Sequence, residues 1–219
     1  MPSAWLIGPL VIKSSLVIQI VSLGMGLVWF GFTSPFSKTE TKKRLDEVGN
    51  LLIAFVISLF IGKIIINFST FINDPLAILA YPSDSKAFYI AFLFTGLYAK
   101  IKIVKGSQHF FALLFSWINV FFAASFVYEF VQIIWGSSVH TWGYLGLLFV
   151  FLIIIISLQG QLPIEMLVFI AVLGWSAGQW LLSIFSNTTV FQFNLHPWFY
   201  GIICIGSIFL IIYKRKVKS

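Results

Sequence analysis

The chain is a series of long apolar segments separated by short polar stretches. We distinguish seven segments, at about 10–33, 49–68, 87–100, 108–135, 142–158, 163–185 and 197–213. A helix that crosses a membrane needs about 20 apolar residues, within a range of about 17–25. Because lipid offers the backbone no hydrogen-bond partner, the pattern predicts that every segment is a helix. The sequence therefore predicts an all-α polytopic membrane protein in which residues 1–219 form a single seven-helix domain.

Composition supports this prediction, because the chain is 59% hydrophobic and only 10% charged. A soluble domain exposes more polar surface than that, so lipid is the expected surrounding of most side chains. The only cysteine, Cys204, lies inside an apolar segment, which excludes an intramolecular disulfide and a cysteine-based metal cluster. The net charge of +7 comes from basic residues between and after the segments, so we expect no nucleic-acid partner.

The positions of the basic residues predict the orientation of the chain. They cluster after the first, third and seventh segments, and an odd number of crossings puts these clusters on one side of the membrane. The loops of the opposite side carry only one lysine, Lys86. The positive-inside rule then predicts an external N-terminus and a cytoplasmic C-terminus. The clustered residues are Lys38, Lys42, Lys43, Arg44, Lys100, Lys102, Lys105, Lys214, Arg215, Lys216 and Lys218.

Two charged residues lie well inside predicted spans, where each charge costs about 2.5–3.5 kcal/mol on insertion scales. At about 1.5 Å per residue, Lys63 lies about 7 Å and Glu129 about 9 Å from the outer end of its helix. Their similar depth suggests a Lys63–Glu129 pair that faces the interior of the bundle. The alternative is an ion pair that only fixes helix packing. Lys13 and Glu165 lie near span ends, where snorkelling or the helix dipole accommodates a charge.

Further polar side chains are expected at a similar depth. Gln132 lies one turn beyond Glu129 on the same helix face, and Gln179, Ser15 and Tyr89 fall in the outer parts of their spans. Together with Lys63 they predict a polar pocket that opens to the outer leaflet. The alternative is a set of scattered interhelical hydrogen bonds, which membrane bundles commonly use.

The sequence predicts neither a metal site nor a cofactor. Its three histidines, His109, His140 and His196, are far apart, and only His140 is in a loop that could reach the outer pocket. The chain has no H-E-x-x-H, Walker A, G-x-S-x-G or G-x-G-x-x-G pattern.

Five stretches, taken in order, resemble one bacterial enzyme family. They are IGPLVI at 7–12, FIGKIII at 60–66, NDPLAILAY at 73–81, GQWLLSIFSN at 178–187 and HPWFYGIICIGSIFLIIYKRK at 196–216. In their order, spacing and topology they are similar to the prolipoprotein diacylglyceryl transferases, over nearly the whole chain. The resemblance implies a multi-pass protein of the bacterial plasma membrane with seven spans. It also implies phosphatidylglycerol and a lipoprotein as partners, because the family moves a diacylglyceryl group from that lipid to a lipobox cysteine.

The motifs that carry the family's chemistry are mostly replaced. Its third-span histidine falls on Tyr89, and the Gly-Arg of its sixth span reads Gly178-Gln179. Glu129 lies near a family arginine position, and the early tyrosine falls near Ser15. Lys63 stands where the family often has an arginine. The remaining weak candidates for catalysis are Tyr89 and His140.

The loss of arginine has a physical consequence that does not depend on the alignment. A guanidinium suits phosphate because it donates in a fork and stays charged. The only two arginines, Arg44 and Arg215, both lie on the predicted cytoplasmic side. We therefore expect a non-catalytic factor that binds a phospholipid, a lipoprotein or another membrane protein as part of a membrane assembly. The alternatives are an active but divergent acyl or diacylglyceryl transferase that uses Lys63, Glu129, Tyr89 or His140, and a small transporter or channel with Lys63 and Glu129 on a polar path.

Overall fold

The structure is a computed structural model that describes residues 4–7, 10–75, 78, 84–135, 142–185 and 188–218. Side chains are described over 14–75, 78, 84–135, 142–185 and 188–212. Within these ranges the protein is almost entirely helical, and four helices are long and apolar enough to cross a membrane. They are Ser14–Thr33, Lys38–Ile66, Ser107–Ile134 and Ile164–Phe185. The all-α membrane class predicted from the sequence is therefore supported, and two shorter apolar helices accompany these four.

The helices and strands follow one another along the chain with short connections. In order they are β1 (Ala4–Ile7), β2 (Leu10–Lys13), α1 (Ser14–Thr33), α2 (Lys38–Ile66), α3 (Phe68–Asn73), α4 (Ser85–Tyr98), a π-helical turn (Ala99–Ile103), α5 (Ser107–Ile134), α6 (Trp142–Leu158), α7 (Ile164–Phe185), β3 (Thr189–Val190), β4 (Phe193–Asn194) and α8 (Pro197–Lys218).

The first predicted segment, 10–33, is helical only from Ser14 onward. Residues 10–13 form β2, which pairs antiparallel with β1 from Ala4↔Lys13 to Ile7↔Leu10. The prediction of a helix over 10–13 was therefore wrong. A run of three apolar residues before a lysine is compatible with either structure, and the β-branched Val11 and Ile12 favour a strand.

The second helix begins 11 residues before the predicted start of its apolar segment, at Lys38. Ser37 starts it, because the Ser37 Oγ accepts a hydrogen bond from the Glu40 backbone N–H at 3.3 Å. Asp84 acts in the same way at α4, where its Oδ1 accepts from the Ala87 N–H at 2.9 Å. Polar first turns therefore lengthen helices beyond the apolar segments that the sequence pattern marks.

Side-chain contacts define two ends of the bundle. At the first, which we call the basic end (residues 33–47, 99–109 and 158–165), Gln159 Nε2 donates to the Thr33 carbonyl at 2.6 Å. At the second, the hairpin end, the strands β3 and β4 pair through Val190↔Phe193 beside the start of α1. Each helix of the bundle runs from one end toward the other.

Glycines bring neighbouring helices into close contact at two places. α1 packs mainly on α5, and a Cβ built on Gly26 would lie 2.5 Å from the Val120 carbonyl oxygen. α2 packs mainly on α4, where a Cβ on Gly62 would lie 3.0 Å from the Ala87 carbonyl oxygen. The helix α5 forms the middle of the bundle. In its apolar stretch of 18 residues, 67% of the residues are buried, against 17–33% in the corresponding stretches of the other three long helices. Polar side chains on the inner faces of α5 are therefore held inside the bundle.

Candidate functional site

The loop between α7 and α8 forms a small hairpin that covers one end of the bundle. Gln192 lies at its tip and connects it to α1, because Ser15 Oγ donates to Gln192 Oε1 at 3.2 Å. Gln192 Nε2 in turn donates to Gln19 Oε1 at 2.7 Å. Ser15, predicted as part of a polar pocket, is therefore a contact of this hairpin.

Tyr89 fixes the other side of the hairpin. Its hydroxyl accepts a hydrogen bond from the His196 backbone N–H at 2.9 Å and lies 3.3 Å from His196 Nδ1. Its ring packs on Trp198 and Phe199, with centroids 4.7 and 5.1 Å apart. Through these contacts Tyr89 joins α4 to the start of α8, and its hydroxyl is occupied by His196.

Tyr89→Phe removes this connection without removing the ring. We expect it to lower the free energy of unfolding by about 1 kcal/mol, because a neutral hydrogen bond contributes about 0.5–1.5 kcal/mol net. An SDS titration of the purified protein measures the change. Tyr98→Phe, at a position 38% exposed on the same helix, is the control and should leave the curve unchanged. Equal curves for the two variants would mean that Tyr89 does not hold the hairpin.

A cluster of buried polar side chains lies beneath the hairpin end, and we call it the polar cluster. Every member is at most 8% exposed. Among the described residues, each has a polar side-chain atom with no hydrogen-bond partner. The atoms are Ser125 Oγ, Glu129 Oε1, Tyr144 Oη, Trp175 Nε1, Gln179 Nε2 and Oε1, Thr188 Oγ1 and Tyr200 Oη.

Four helices and the hairpin contribute to the polar cluster. Gln179 lies one turn beyond Trp175 on the same face of α7, and contacts join the other members to one another. The Tyr144 hydroxyl on α6 lies beside the Ser125 hydroxyl and the Trp175 indole, and it is within electrostatic range of Glu129. The rings of Trp175 and Tyr200 are 5.6 Å apart, at 75° to each other. The Tyr200 hydroxyl lies beside Thr188, which precedes β3. The Tyr144 hydroxyl is close enough to Ser125 and Trp175 for weak hydrogen bonding, and so is the Tyr200 hydroxyl to Thr188. None of these pairs has the distance and angles of a full hydrogen bond.

The hairpin tip inserts an aromatic ring next to the polar cluster. Phe191 has φ of 53°, the left-handed region that costs a residue with a side chain about 1–2 kcal/mol. In this conformation its ring packs 5.3 Å from Tyr128 and 6.0 Å from Phe121. The Tyr128 hydroxyl accepts a hydrogen bond from Gln132 Nε2 at 2.9 Å, so Gln132 lies at this margin. The strained tip therefore covers the polar cluster with apolar surface.

The predicted Lys63–Glu129 ion pair is not formed. The ion pairs found among the described residues include those of Arg44 with Glu40 and Glu47 and of His109 with Glu47, but none between Lys63 and Glu129. Lys63 is 9% exposed, with its Nζ 5.6 Å from the centre of the Phe60 ring. The prediction failed because equal depth does not fix the direction in which a side chain points. α2 packs chiefly on α4, whereas Glu129 belongs to α5, which packs chiefly on α1.

The polar cluster can exchange hydrogen bonds with a polar group in both directions. Tyrosine, serine and threonine hydroxyls and the glutamine amide donate and accept, the indole N–H donates, and the carboxylate accepts. No member of the polar cluster as defined here is a lysine or an arginine. The described residues also hold no group of three or more acidic, histidine or cysteine side chains that could bind a metal ion. A buried polar atom without a partner costs about 1–3 kcal/mol, so a bound polar group that supplies partners would be stabilised.

The residues predicted from the sequence are distributed over this end of the molecule. Glu129 and Gln179 belong to the polar cluster, Gln132 lies at its margin, and Ser15 and Tyr89 hold the hairpin above it. His140 lies outside the described residues. Sequence reasoning missed Tyr144, Trp175 and Tyr200, because aromatic residues in apolar segments resemble core or interface residues. It also missed Ser125 and Thr188, because single hydroxyl residues are common in membrane helices and loops. Comparison with protein-family models, with curated protein sequences and with solved structures found no match to the chain.

Proposed function

We propose that the protein is a non-catalytic membrane factor that binds the head group of a phospholipid in the polar cluster. The observation that carries this proposal is the set of buried polar atoms without partners, which includes Glu129 Oε1 and both polar atoms of Gln179. Structural hydrogen bonds between helices would leave such atoms paired. A ligand site leaves them unpaired until the ligand binds.

The proposal includes seven spans with the hairpin end outside and the basic end in the cytoplasm. Each of the seven predicted segments overlaps a described helix, namely α1, α2, α4, α5, α6, α7 and α8. The short α4 continues into the π-helical turn, so Ser85–Ile103 is a nearly continuous helical stretch. The basic end carries the lysines of 38–43 and 100–105, which supports the orientation through the positive-inside rule.

We further propose that transferase chemistry is absent, so that the resemblance to the diacylglyceryl transferases reflects a degenerate member. Arg44 is held at the basic end by Glu40 and Glu47, far from the hairpin end. The Tyr89 hydroxyl, at the position of the family's histidine, accepts the His196 backbone N–H. A hydroxyl engaged in this way is poorly placed to remove a proton from a thiol.

Phosphatidylglycerol is the proposed lipid, because the hydroxyl groups of its terminal glycerol can donate and accept in turn. Such groups match the mixture of donors and acceptors in Ser125, Tyr144, Gln179 and Tyr200. The resemblance also suggests a lipoprotein as a second partner, held by the same bundle without modification.

A transfer assay tests the non-catalytic part of the proposal. Purified protein is incubated with phosphatidylglycerol and a lipobox peptide, and the mass of the peptide is followed. We expect the mass to stay unchanged while native mass spectrometry shows phosphatidylglycerol bound to the protein. A diacylglyceryl mass gain that disappears in Lys63→Ala would overturn the proposal, since a contaminating enzyme would not depend on Lys63.

A further inference from the structure

The basic end holds a second polar site, separate from the hairpin end. It is a cleft of about 480 Å³, which falls within the range of about 300–1,000 Å³ of ligand pockets. The cleft lies between the first turns of α2, α5 and α7 and the loop before α5. The polar residues that line it are Glu40, Arg44, Lys105, Gln108, His109 and Glu165.

Arg44 is held in place in this cleft, but not all of its hydrogen-bond donors are used. Its Nη1 lies 2.9 Å from Glu47 Oε2 and its Nη2 lies 3.2 Å from Glu40 Oε1. Its carbon Cζ lies 5.9 Å above the Phe36 ring. The residue is only 5% exposed, and its Nε has no hydrogen-bond partner among the described residues. Arg44 therefore lines the cleft as a rigid cation with one buried donor that no described residue uses.

His109 lines the same cleft and has a second buried atom without a partner. Its Nε2 lies 3.0 Å from Glu47 Oε1, whereas its Nδ1 has no partner among the described side chains. Glu47 thus orients both Arg44 and His109. With Nε2 donating to Glu47, the Nδ1 atom of the neutral ring can accept a hydrogen bond.

The start of α5 adds backbone donors at the same place. This helix of 28 residues begins after Gly106 with no side-chain cap and no acidic residue in its first turn. Its first N–H groups are therefore without a capping side chain, and the helix dipole favours an anion there. Lys105 immediately precedes Gly106 and lines the cleft.

We propose that this cleft binds a phosphate group. Arg44 Nε, Lys105 and the N-terminal turn of α5 supply the donors, the combination that phosphate prefers. Two carboxylates line the cleft, but each has its own stabilisation. Glu40 is paired with Arg44, and Glu165 lies in the first turn of α7, where the dipole favours a negative charge. The phosphate belongs either to a lipid head group of the adjoining leaflet or to a free phosphate ester.

The test compares two probes on the full chain in detergent, with ionic strength held constant by sodium chloride. Inorganic phosphate represents the free ligand, and dioctanoyl phosphatidic acid represents the lipid head group. The midpoint of thermal unfolding is followed by tryptophan fluorescence. The variants are Lys105→Ala and, as a control in the preceding segment, Lys102→Ala, whose side chain does not line the cleft.

We expect at least one probe to raise the midpoint in the wild type and in Lys102→Ala. Lys105→Ala should weaken the apparent affinity about tenfold, since a hydrogen bond to a charged group is lost. A response to inorganic phosphate would assign a free phosphate ester, and a response to phosphatidic acid alone would assign a head group. No response to either probe would overturn the proposal. Equal losses in the two lysine variants would also overturn it, because they would indicate attraction by the general basic surface.

Discussion

Gly26→Ala is expected to destabilise the protein by about 1–3 kcal/mol, the usual cost of overpacking a close contact. The added methyl group would lie 2.5 Å from the Val120 carbonyl oxygen and 3.0 Å from the Ala124 Cβ. Neither neighbour is the flexible end of a side chain, so α1 and α5 would have to separate. Because α1 packs mainly on α5, the loss should spread along the whole helix pair. An SDS titration of the purified protein measures it.

Gly24→Ala is the matched control for this prediction. It makes the same substitution in the same helix, but a Cβ there meets nothing within 4 Å. It should leave stability unchanged or raise it by up to about 1 kcal/mol, because alanine is the better helix former. If Gly26→Ala proved as stable as Gly24→Ala, the close packing of α1 against α5 would be wrong.

The positions of the helices could be predicted because the length of an apolar segment is set by the thickness of a membrane. The fifth segment, 142–158, coincides with α6, and 163–185 differs from α7 by one residue. The start of α2 could not be found in this way, because its first turns are polar. The signal for it was Ser37 followed by Glu40, a capping pattern. The strand β2 was missed because its three apolar residues, followed by Lys13, are too few to distinguish the period of a strand from that of a helix.

The site was only partly predictable, for a different reason. Glu129 and Gln179 are conspicuous because a polar residue in an apolar segment needs an explanation. Tyr144, Trp175 and Tyr200 are not, because their rings suit an apolar core and only the structure reveals that their polar atoms lack partners. The Lys63–Glu129 pair failed because the sequence gives the depth of a residue but not which helices are neighbours.

Gln179→Met is expected to stabilise the lipid-free protein while removing its response to lipid. Gln179 is 0% exposed, and neither Nε2 nor Oε1 has a partner among the described residues. Methionine has a similar length and no amide. The substitution therefore removes the cost of about 1–3 kcal/mol of burying the amide without hydrogen-bond partners. The same amide would exchange hydrogen bonds with a bound head group, so its loss should weaken binding. Opposite effects on stability and binding are typical of a ligand site.

Two further variants test whether the expected effects are specific to the polar cluster, or whether any methionine or any more hydrophobic side chain would produce them. Gln161→Met makes the same change at an exposed position of the basic end and should behave as the wild type within about 0.5 kcal/mol. Tyr144→Phe removes a hydroxyl of the polar cluster and should likewise weaken the response to phosphatidylglycerol. A destabilised Tyr144→Phe would indicate that the hydroxyl is paired within the bundle.

The most direct test is a titration of the delipidated wild type and Gln179→Met with phosphatidylglycerol, followed by thermal unfolding. A ligand that binds only the folded state raises the midpoint as its concentration exceeds the dissociation constant. We predict that the wild-type midpoint rises with phosphatidylglycerol, whereas Gln179→Met begins several degrees higher and does not rise. A variant that begins lower than the wild type and rises as much with lipid would contradict the account, because Gln179 would then serve helix packing alone.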